Sequence, residues 1–334
     1  MRKRKVLVAM SGGVDSSVCA AILKKNGYDV VGVFMRMHAK SNPKDAKIVA
    51  QKLKIPFKVL DARKEFKKKI IDYFIEEYER GNTPNPCVEC NPQIKFKFLV
   101  DLAPKMKAGY IATGHYAKIK NGRLFIAKDI KKDQTYFLWQ LKQKQLAKII
   151  FPLGDFTKEQ VRGLAEKWKL PVRKIESQDI CFSLPLRSLK AEGGPILNTE
   201  GKKIGKHKGL VFYTIGQRKG IEIGGTGPYY VVHKDFKKNA LIVSHNEKDL
   251  LQKEMIIKNM NWISGKAFSG RCGVKIRSMA KIVPATIKKN KVIFNKPQRA
   301  ITPGQSAVFY APSRSSETKA GKGNELLGGG VIEK

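Results

Sequence analysis

Acidic residues are scarce in this 334-residue chain: 28 Asp and Glu stand against 66 Lys and Arg, a formal charge of +38 spread along the whole length. The imbalance points to a polyanionic partner, nucleic acid first, with a solvated lysine surface accounting for part of it. Long apolar runs are missing too. None approaches the roughly 18 residues of a spanning helix, and the basic start Arg2-Lys3-Arg4-Lys5 leads into a strand too short for a signal core, so neither export nor a membrane anchor is expected. Cysteine is limited to Cys19, Cys87, Cys90, Cys181 and Cys272, an odd number without framework spacing. Such thiols belong to a reducing compartment and predict a cytoplasmic protein. The single C-x-x-C, Cys87 to Cys90, has no second pair and no histidine pair to complete a zinc site. The length exceeds one comfortable core and predicts two or three domains.

What is present begins with Met10-Ser11-Gly12-Gly13-Val14-Asp15-Ser16-Ser17, set between the apolar run Val6-Leu7-Val8-Ala9 and a helical pattern carrying Val18, Ala21, Ile22 and Leu23. Strand, glycine loop and helix in that order make an anion site. Adjacent glycines let backbone amides approach a phosphate, and the helix N-terminus adds unpaired donors and partial positive charge. The loop has neither the lysine of G-x-x-x-x-G-K-S/T nor the third glycine of a dinucleotide fingerprint, so it is neither kinase-like nor NAD-like. It resembles instead the S-G-G-x-D-S loop of ATP pyrophosphatases, which split ATP between the α- and β-phosphates. That resemblance implies that Gly12, Gly13, Ser16 and Ser17 hold pyrophosphate, with Asp15 serving through magnesium or by fixing the loop.

Along the chain, Asn26-Gly27 reads as a helix end, Tyr28 to Met35 as a second strand, and about Asp45 to Lys54 as a helix. Ile55 to Leu60 reads as a third strand, Phe66 to Glu79 as an amphipathic helix, and Tyr110 to Thr113 as a fourth strand ending at Gly114-His115. Alternating strands and helices predict a parallel sheet, whose ligands collect outside the carboxyl ends of the strands, where the glycine loop, Met35 and Gly114-His115 fall. Between helix and fourth strand, the prolines of Gly81 to Asn91 predict a stiff, irregular loop that presents the C-x-x-C. Beyond Cys181 the long helical patterns stop. Short apolar runs at Tyr229–Val232, Ala240–Val243, Met255–Ile257, Val274–Ile276, Val292–Phe294 and Ala307–Tyr310 have the spacing of small β modules.

Nearly end to end, the chain resembles the bacterial tRNA-specific 2-thiouridylases. The resemblance rests on Ser11 to Ser17, Thr83-Pro84-Asn85-Pro86-Cys87 with Cys90-Asn91, Thr113 to Ala117, Lys132 to Leu138, Phe151 to Gly154, Gln178-Asp179-Ile180-Cys181-Phe182, Tyr213 to Gly220, Thr302 to Gln305 and Leu327 to Gly330. It implies an α/β fold: a Rossmann-like parallel-sheet ATP-pyrophosphatase domain over 1–188, a small mostly-β central domain over 189–248 and a C-terminal β-barrel over 249–334. It implies ATP with Mg2+ at Ala9, Met10, Ser11, Gly12, Gly13, Val14, Asp15 and Ser16, flanked by Met35 and Gly114. Asn85, Pro86 and Cys87 are implied against the target base, and His115, Lys132, Asp133, Gln134, Arg277, Ser278 and Gln305 against tRNA. Cys181 is implied to carry a persulfide from a cysteine desulfurase or relay protein and Cys90 to attack it, on tRNAs of the Lys, Glu and Gln type.

Three departures stand out. Many members have aspartate, the proposed acid/base, where this chain has Cys87; Ser278 follows Arg277 where an aromatic residue is usual; the 182–195 segment is short and 313–324 is an extra polar loop. The third thiol opens a rival, a 4Fe-4S cluster on Cys87, Cys90 and Cys181 with one iron left to bind hydrosulfide. Two further readings are a small-molecule ligase of the ATP-pyrophosphatase type, against which the cysteine pair and the charge argue, and a non-enzymatic RNA-binding protein, against which the intact loop argues.

Overall fold

Val6, Leu7 and Val8 have no solvent exposure, because their strand is the middle of a sheet covered on both faces. The computed structural model describes residues 4–172, 181–182, 189, 191–224, 227–312 and 325–333; residues 177–180 of the Cys181 motif and the polar loop 313–324 lie outside these. The chain runs β1 (Lys5–Ala9), α1 (Val14–Lys25), β2 (Asp29–Arg36), α2 (Lys44–Lys52) and β3 (Phe57–Asp61). Then α3 (Arg63–Phe66) passes through a π segment (Lys67–Asp72) into α4 (Tyr73–Glu79), and α5 (Pro86–Cys90) passes through a second π segment (Asn91–Phe96) into α6 (Lys97–Lys105). After β4 (Tyr110–Ala112) come a hairpin of β5 (Lys118–Lys120) and β6 (Arg123–Phe125), then α7 (Gln143–Leu146), β7 (Ile149–Ile150) and α8 (Lys158–Lys167).

The first sheet has the order β3-β2-β1-β4-β7 with every pairing parallel. Residues alternate between its faces: Leu7, Val31, Val33 and Ile111 enter one apolar cluster, Val6, Val8, Val30 and Ala112 the other. Burial on both sides is why these strands are apolar almost without interruption. From β1 the chain first adds strands on one side and later returns to add β4 on the other, so the ends of β1 and β4 bound the crevice where such sheets bind ligands.

The irregular loop expected over 81–91 is corrected in its second half, where α5 begins at Pro86. A proline in the first helical position loses no needed amide and has its φ already set. Asn85 caps the helix, its Oδ1 accepting from the Cys87 amide at 3.1 Å.

The second unit is a four-stranded sheet of β8 (Gly194–Leu197), β9 (Lys203–His207), β10 (Tyr230–Asp235) and β11 (Ala240–Ser244), closed over Ile196, Leu210, Val231 and Leu241. The third contains β12 (Leu251–Trp262), β13 (Gly270–Lys275), β14 (Val283–Lys288), β15 (Lys291–Arg299), β16 (Ser306–Tyr310) and β17 (Glu325–Ile332). Their order β12-β15-β14-β13-β16-β17, with β17 paired back to β12, is a closed six-stranded barrel. The first unit is fastened to it. β6 pairs with β17, and Tyr136 and Trp139 are buried against the barrel, the Tyr136 hydroxyl donating to Ser306 O at 2.9 Å and Trp139 Nε1 to Ser306 Oγ at 3.1 Å. A Cβ on Gly329 would lie 2.7 Å from the Trp139 ring, one on Gly328 would meet Asn261 O and one on Gly330 the Ile257 side chain, which together explain the glycine run of β17.

Candidate active site

The loop after β1 is held by its own hydroxyls, leaving it rigid before any ligand arrives. Ser16 Oγ accepts from the Ser11 amide at 3.1 Å and donates to Gly13 O at 3.1 Å, while Ser17 Oγ donates to Gly13 O at 2.8 Å. Gly12 takes φ +89°, and a Cβ there would stand 2.7 Å from Ala46 N at the start of α2, so only glycine lets that helix seat against the loop. Asp15 does not face open solvent with a free carboxylate. Its two oxygens receive the Lys158 ammonium at 2.7 and 2.9 Å, and Oδ1 also accepts from the Tyr116 hydroxyl at 2.9 Å. Lys158 begins α8, capped by Thr157, and is buried, so Asp15 ties the loop to α8 and to the segment after β4.

Above the loop opens a cavity of about 1440 Å³. Ala9, Met10, Ser11, Gly13, Val14, Asp15, Ser16, Met35 and Gly114 all line it, as does the cationic face of α8 with Lys158 and Arg162. Gly12 lies beneath, under α2. Asn85, Pro86, Cys87 and His115 form another wall, and Lys132, Asp133, Gln134, Ser278 and Gln305 close the far side. Residues spread across nearly the whole sequence thus share one chamber. His115 is buried, its Nδ1 within 2.6 Å of Thr113 Oγ1 and its ring stacked on Phe96. Burial, with the Lys95 charge adding to it, holds its imidazolium pKa well below the usual value, so it is neutral.

Cys90 is not in the chamber's lining but buried behind it, with Phe66, Ile70 and Ile94. Burial pushes its thiol up to about 12; the Lys95 charge works against that rise, and the Cys181 and Cys87 sulfurs add to it. Cys181 is exposed, yet its neighbour Phe182 docks on the same cluster, edge-on to Phe66 at 5.5 Å and to Phe74 at 6.2 Å. The distant cysteine is therefore brought to Cys90 through an aromatic anchor. Its thiol too is raised by desolvation, with Lys95 opposing. Between Cys87 and Cys90, Glu89 is fixed by Gln140 Nε2 at 2.6 Å and Gln93 Nε2 at 2.7 Å.

Two residues expected against RNA are engaged internally. The Arg277 guanidinium donates to Ala300 O and Thr302 Oγ1, both at 2.8 Å, bracing the barrel, and Asp133 accepts from the Ala127 amide and the Thr135 hydroxyl of its own loop. Sequence inspection missed Lys95, Lys158, Arg162 and Met279. Met279 is 85% exposed at the chamber rim beside Ser278, the position at which an aromatic residue is absent. Single lysines in a chain with 66 basic residues carry no signal of their own.

Three family models match consecutive parts of the chain: a tRNA methyl transferase HUP domain over 4–184, a tRNA methyl transferase PRC-barrel domain over 186–245 and an aminomethyltransferase β-barrel domain over 252–332. The tRNA-specific 2-thiouridylase MnmA of Symbiobacterium thermophilum is 42% identical over 372 residues, covering 99% of this chain and 92% of that protein. The tRNA-specific 2-thiouridylase MnmA 2 of Thermoanaerobacter sp. is 44% identical over 368 residues, covering 99% and 98%. Among solved structures, a 4-thiouridine synthetase in complex with RNA and ATP is 19% identical over 50% of this chain and 40% of that one, with a TM-score of 0.34.

Proposed function

The chain belongs to the tRNA-specific 2-thiouridylase family, and from that premise we propose that it replaces the C2 oxygen of the tRNA wobble uridine by sulfur, in tRNAs of the Lys, Glu and Gln type, at the expense of ATP. The supporting observation is the shared chamber: phosphate loop, Cys87 and the barrel's Ser278 line one space, with Cys90 buried at the end of the helix that carries Cys87. A urea-like carbonyl is a poor electrophile and its oxygen a poor leaving group. Adenylation of O2 cures both, with pyrophosphate leaving into the amides of the loop and the N-terminus of α1. The adenylate must be kept from water, and the tRNA itself, seated over the open chamber, would supply that cover.

Sulfur then arrives as a persulfide on Cys181, loaded by a cysteine desulfurase or relay protein. The Cys90 thiolate attacks the inner sulfur of that persulfide, forming a Cys90–Cys181 disulfide and expelling hydrosulfide. Hydrosulfide adds at C2 and AMP departs; an external dithiol reduces the disulfide for the next turnover. Mg2+ takes oxygen ligands, usually one or two carboxylates together with substrate phosphates. Because both Asp15 oxygens hold Lys158, Asp15 fits the role of strut, and the ion would travel on the nucleotide phosphates. A 4Fe-4S cluster with one open iron needs three converging thiolates. Among the described residues no group of three His, Cys, Asp or Glu side chains is gathered for a metal, so no step is routed through a cluster.

The test is nucleoside mass spectrometry on tRNA incubated with iron-free protein, ATP and a persulfide donor. We expect 2-thiouridine over many turnovers, with one AMP and one pyrophosphate per sulfur. ADP as product, or inert protein that thiolates only after iron–sulfur reconstitution, overturns the reading.

A further inference from the structure

Two walls of the chamber, the phosphate loop and the segment 129–134, are joined by unbroken runs of hydrogen bonds. Segment 129–134 presents Lys131 and Lys132, both exposed, on the side where RNA is expected. Asp129, half-buried at its base, divides its carboxylate between two partners. Its Oδ1 accepts from the Lys131 amide at 3.1 Å and from the Lys132 amide at 3.3 Å, while its Oδ2 accepts from the Lys158 amide at 3.0 Å. Lys158 is the first residue of α8, where the opening amides have no partner within the helix, so the carboxylate fills an orphan donor at the positive end of the helix. The route continues through the Lys158 side chain, whose ammonium meets both Asp15 oxygens at 2.7 and 2.9 Å.

A second route starts from the other end of the segment. Gln134 clamps Tyr116 at two points, its amide donating to Tyr116 O at 2.9 Å and its side-chain Oε1 accepting from the Tyr116 amide at 2.9 Å. The Tyr116 hydroxyl in turn donates to Asp15 Oδ1 at 2.9 Å. Between the two ends, Asp133 stiffens the segment, Oδ1 accepting from the Ala127 amide at 3.0 Å and Oδ2 from the Thr135 hydroxyl at 2.6 Å. Tyr116 and Lys158 are both buried, and close packing leaves them no room to swing away and absorb a shift. A displacement of segment 129–134 therefore reaches Asp15 by one route or both.

Resting on the reading that tRNA occupies this side of the chamber, we propose that Asp129 is a positioning residue that couples RNA binding at segment 129–134 to ATP binding at the phosphate loop. The loop is rigid within itself; what the two routes set is where it stands relative to α8. RNA phosphates on Lys131 and Lys132 fix the segment, the segment fixes Lys158 and Tyr116, and these fix Asp15. The space between loop and α8 is then ordered before the nucleotide enters, and ATP binding loses less conformational freedom. Asp129 itself does not line the chamber and takes no part in the bond changes. Coupling of this kind is reciprocal, so ATP tightens RNA by the factor by which RNA tightens ATP.

The experiment measures this coupling by calorimetry on the full-length chain, with an unmodified tRNA of the Lys type and α,β-methylene-ATP, which cannot be split between the α- and β-phosphates. Each dissociation constant is determined alone and with the other ligand saturating. In wild type each ligand should tighten the other at least about fivefold, by equal factors. Asp129→Asn keeps the shape of the side chain but only one acceptor oxygen, so it holds the segment or α8 and not both. In this variant each ligand alone should bind within about twofold of wild type, while the coupling factor falls at least about twofold. The KM for ATP at saturating tRNA should rise by the factor lost, with kcat for pyrophosphate release kept. Asp129→Asn combined with Tyr116→Phe cuts both routes and should bring the coupling factor below about two. No coupling in wild type, an undiminished factor in Asp129→Asn, or a larger factor than that in the double variant overturns the proposal. So does weaker ATP binding by Asp129→Asn in the absence of RNA, the mark of a prop for the loop alone. A wild-type chain that couples the two ligands yet forms no 2-thiouridine overturns the functional reading and not the coupling, whereas thiolation without coupling does the reverse.

Discussion

Gly114→Ala adds one methyl group where the segment after β4 presses on the start of α1, at the edge of the chamber. A Cβ at Gly114 would lie 2.8 Å from the carbonyl carbon of Asp15, 2.9 Å from the Ser16 amide nitrogen and 3.0 Å from Asp15 O. Favourable contacts between such atoms lie at about 3.5–4.0 Å, so the segments must part by about 0.5–1 Å. Every opposing atom is backbone, and no rotamer change relieves the clash. One side is anchored by β4 in the sheet, the other by α1, whose Val18, Cys19 and Ala20 are fully buried. Overpacking of this kind costs about 1–3 kcal/mol. At about 2–4 °C per kcal/mol for a domain of this size, the melting temperature should fall by several degrees. The larger effect is on chemistry, since misplacing reacting groups by about 1 Å costs about 100-fold. The second-order rate constant for ATP in tRNA-dependent pyrophosphate release should fall about 10- to 100-fold, with tRNA affinity measured without ATP unchanged. Gly163→Ala is the control: it lies inside α8, and its Cβ would meet nothing within 4 Å. There alanine gains up to about 1 kcal/mol from helix propensity and leaves activity alone. Unaltered ATP kinetics in Gly114→Ala, or equal damage from both substitutions, refutes the steric argument.

Two further outcomes follow from the site. His115 is held neutral by burial and by Lys95, so its folded pKa lies below its unfolded value of about 6.5. The unfolded chain then binds the extra proton: stability is fully present above that value and falls as pH drops, by at most about 1.4 kcal/mol per pH unit. Denaturant titrations between pH 7 and 5 should show a shallower decline in His115→Gln than in wild type; equal slopes would refute it. Met279, 85% exposed at the rim, neutralises no phosphate. Met279→Ala should therefore weaken tRNA binding several-fold through lost base contact while the slope of log Kd against log salt stays the same, whereas Lys132→Ala should reduce that slope by about one. An unchanged Kd for Met279→Ala would count against a base contact.

The sheet was legible because burial on both faces writes itself into the sequence as continuous apolar strands, and the loop because glycines between strand and helix have one common use. That Ala9, Met35 and Gly114 line one cavity followed from that order alone, since all three sit at or just beyond strand ends. What stayed hidden depends on register or on long-range contact. Pro86 looks like a breaker until Asn85 is seen to cap it, and β7 is two residues long, too short for a period to appear. No local pattern marks a π segment, so Lys95 looked like any other lysine. Lys158 was missed for a related reason: it contacts Asp15 across 143 residues, and only the packing of α8 on α1 brings them together.

The cysteine segment takes its position from both later units, a dependence that is itself testable. Phe236 of the second unit closes on Gly81, where a Cβ would collide with its ring. The Thr83 amide donates to Pro303 O of the barrel at 2.9 Å, and Gln305 Nε2 donates to Thr83 O. Gly304, between those two partners, has φ +88°, and its Cβ would stand 2.8 Å from Asn82 Cβ and from Thr83 N. Residues 81–83 are thus gripped from both sides immediately before the helix that carries Cys87 and Cys90, while the phosphate loop is braced separately by α2 and α8. Gly304→Ala combines a left-handed alanine, costing about 1–2 kcal/mol, with a backbone clash, and the contact must open. ATP affinity by calorimetry should stay within about twofold, while thiolation of tRNA falls at least about tenfold because the sulfur groups no longer meet the base. If ATP binding and thiolation fall together, or thiolation is untouched, the barrel does not position the cysteine segment.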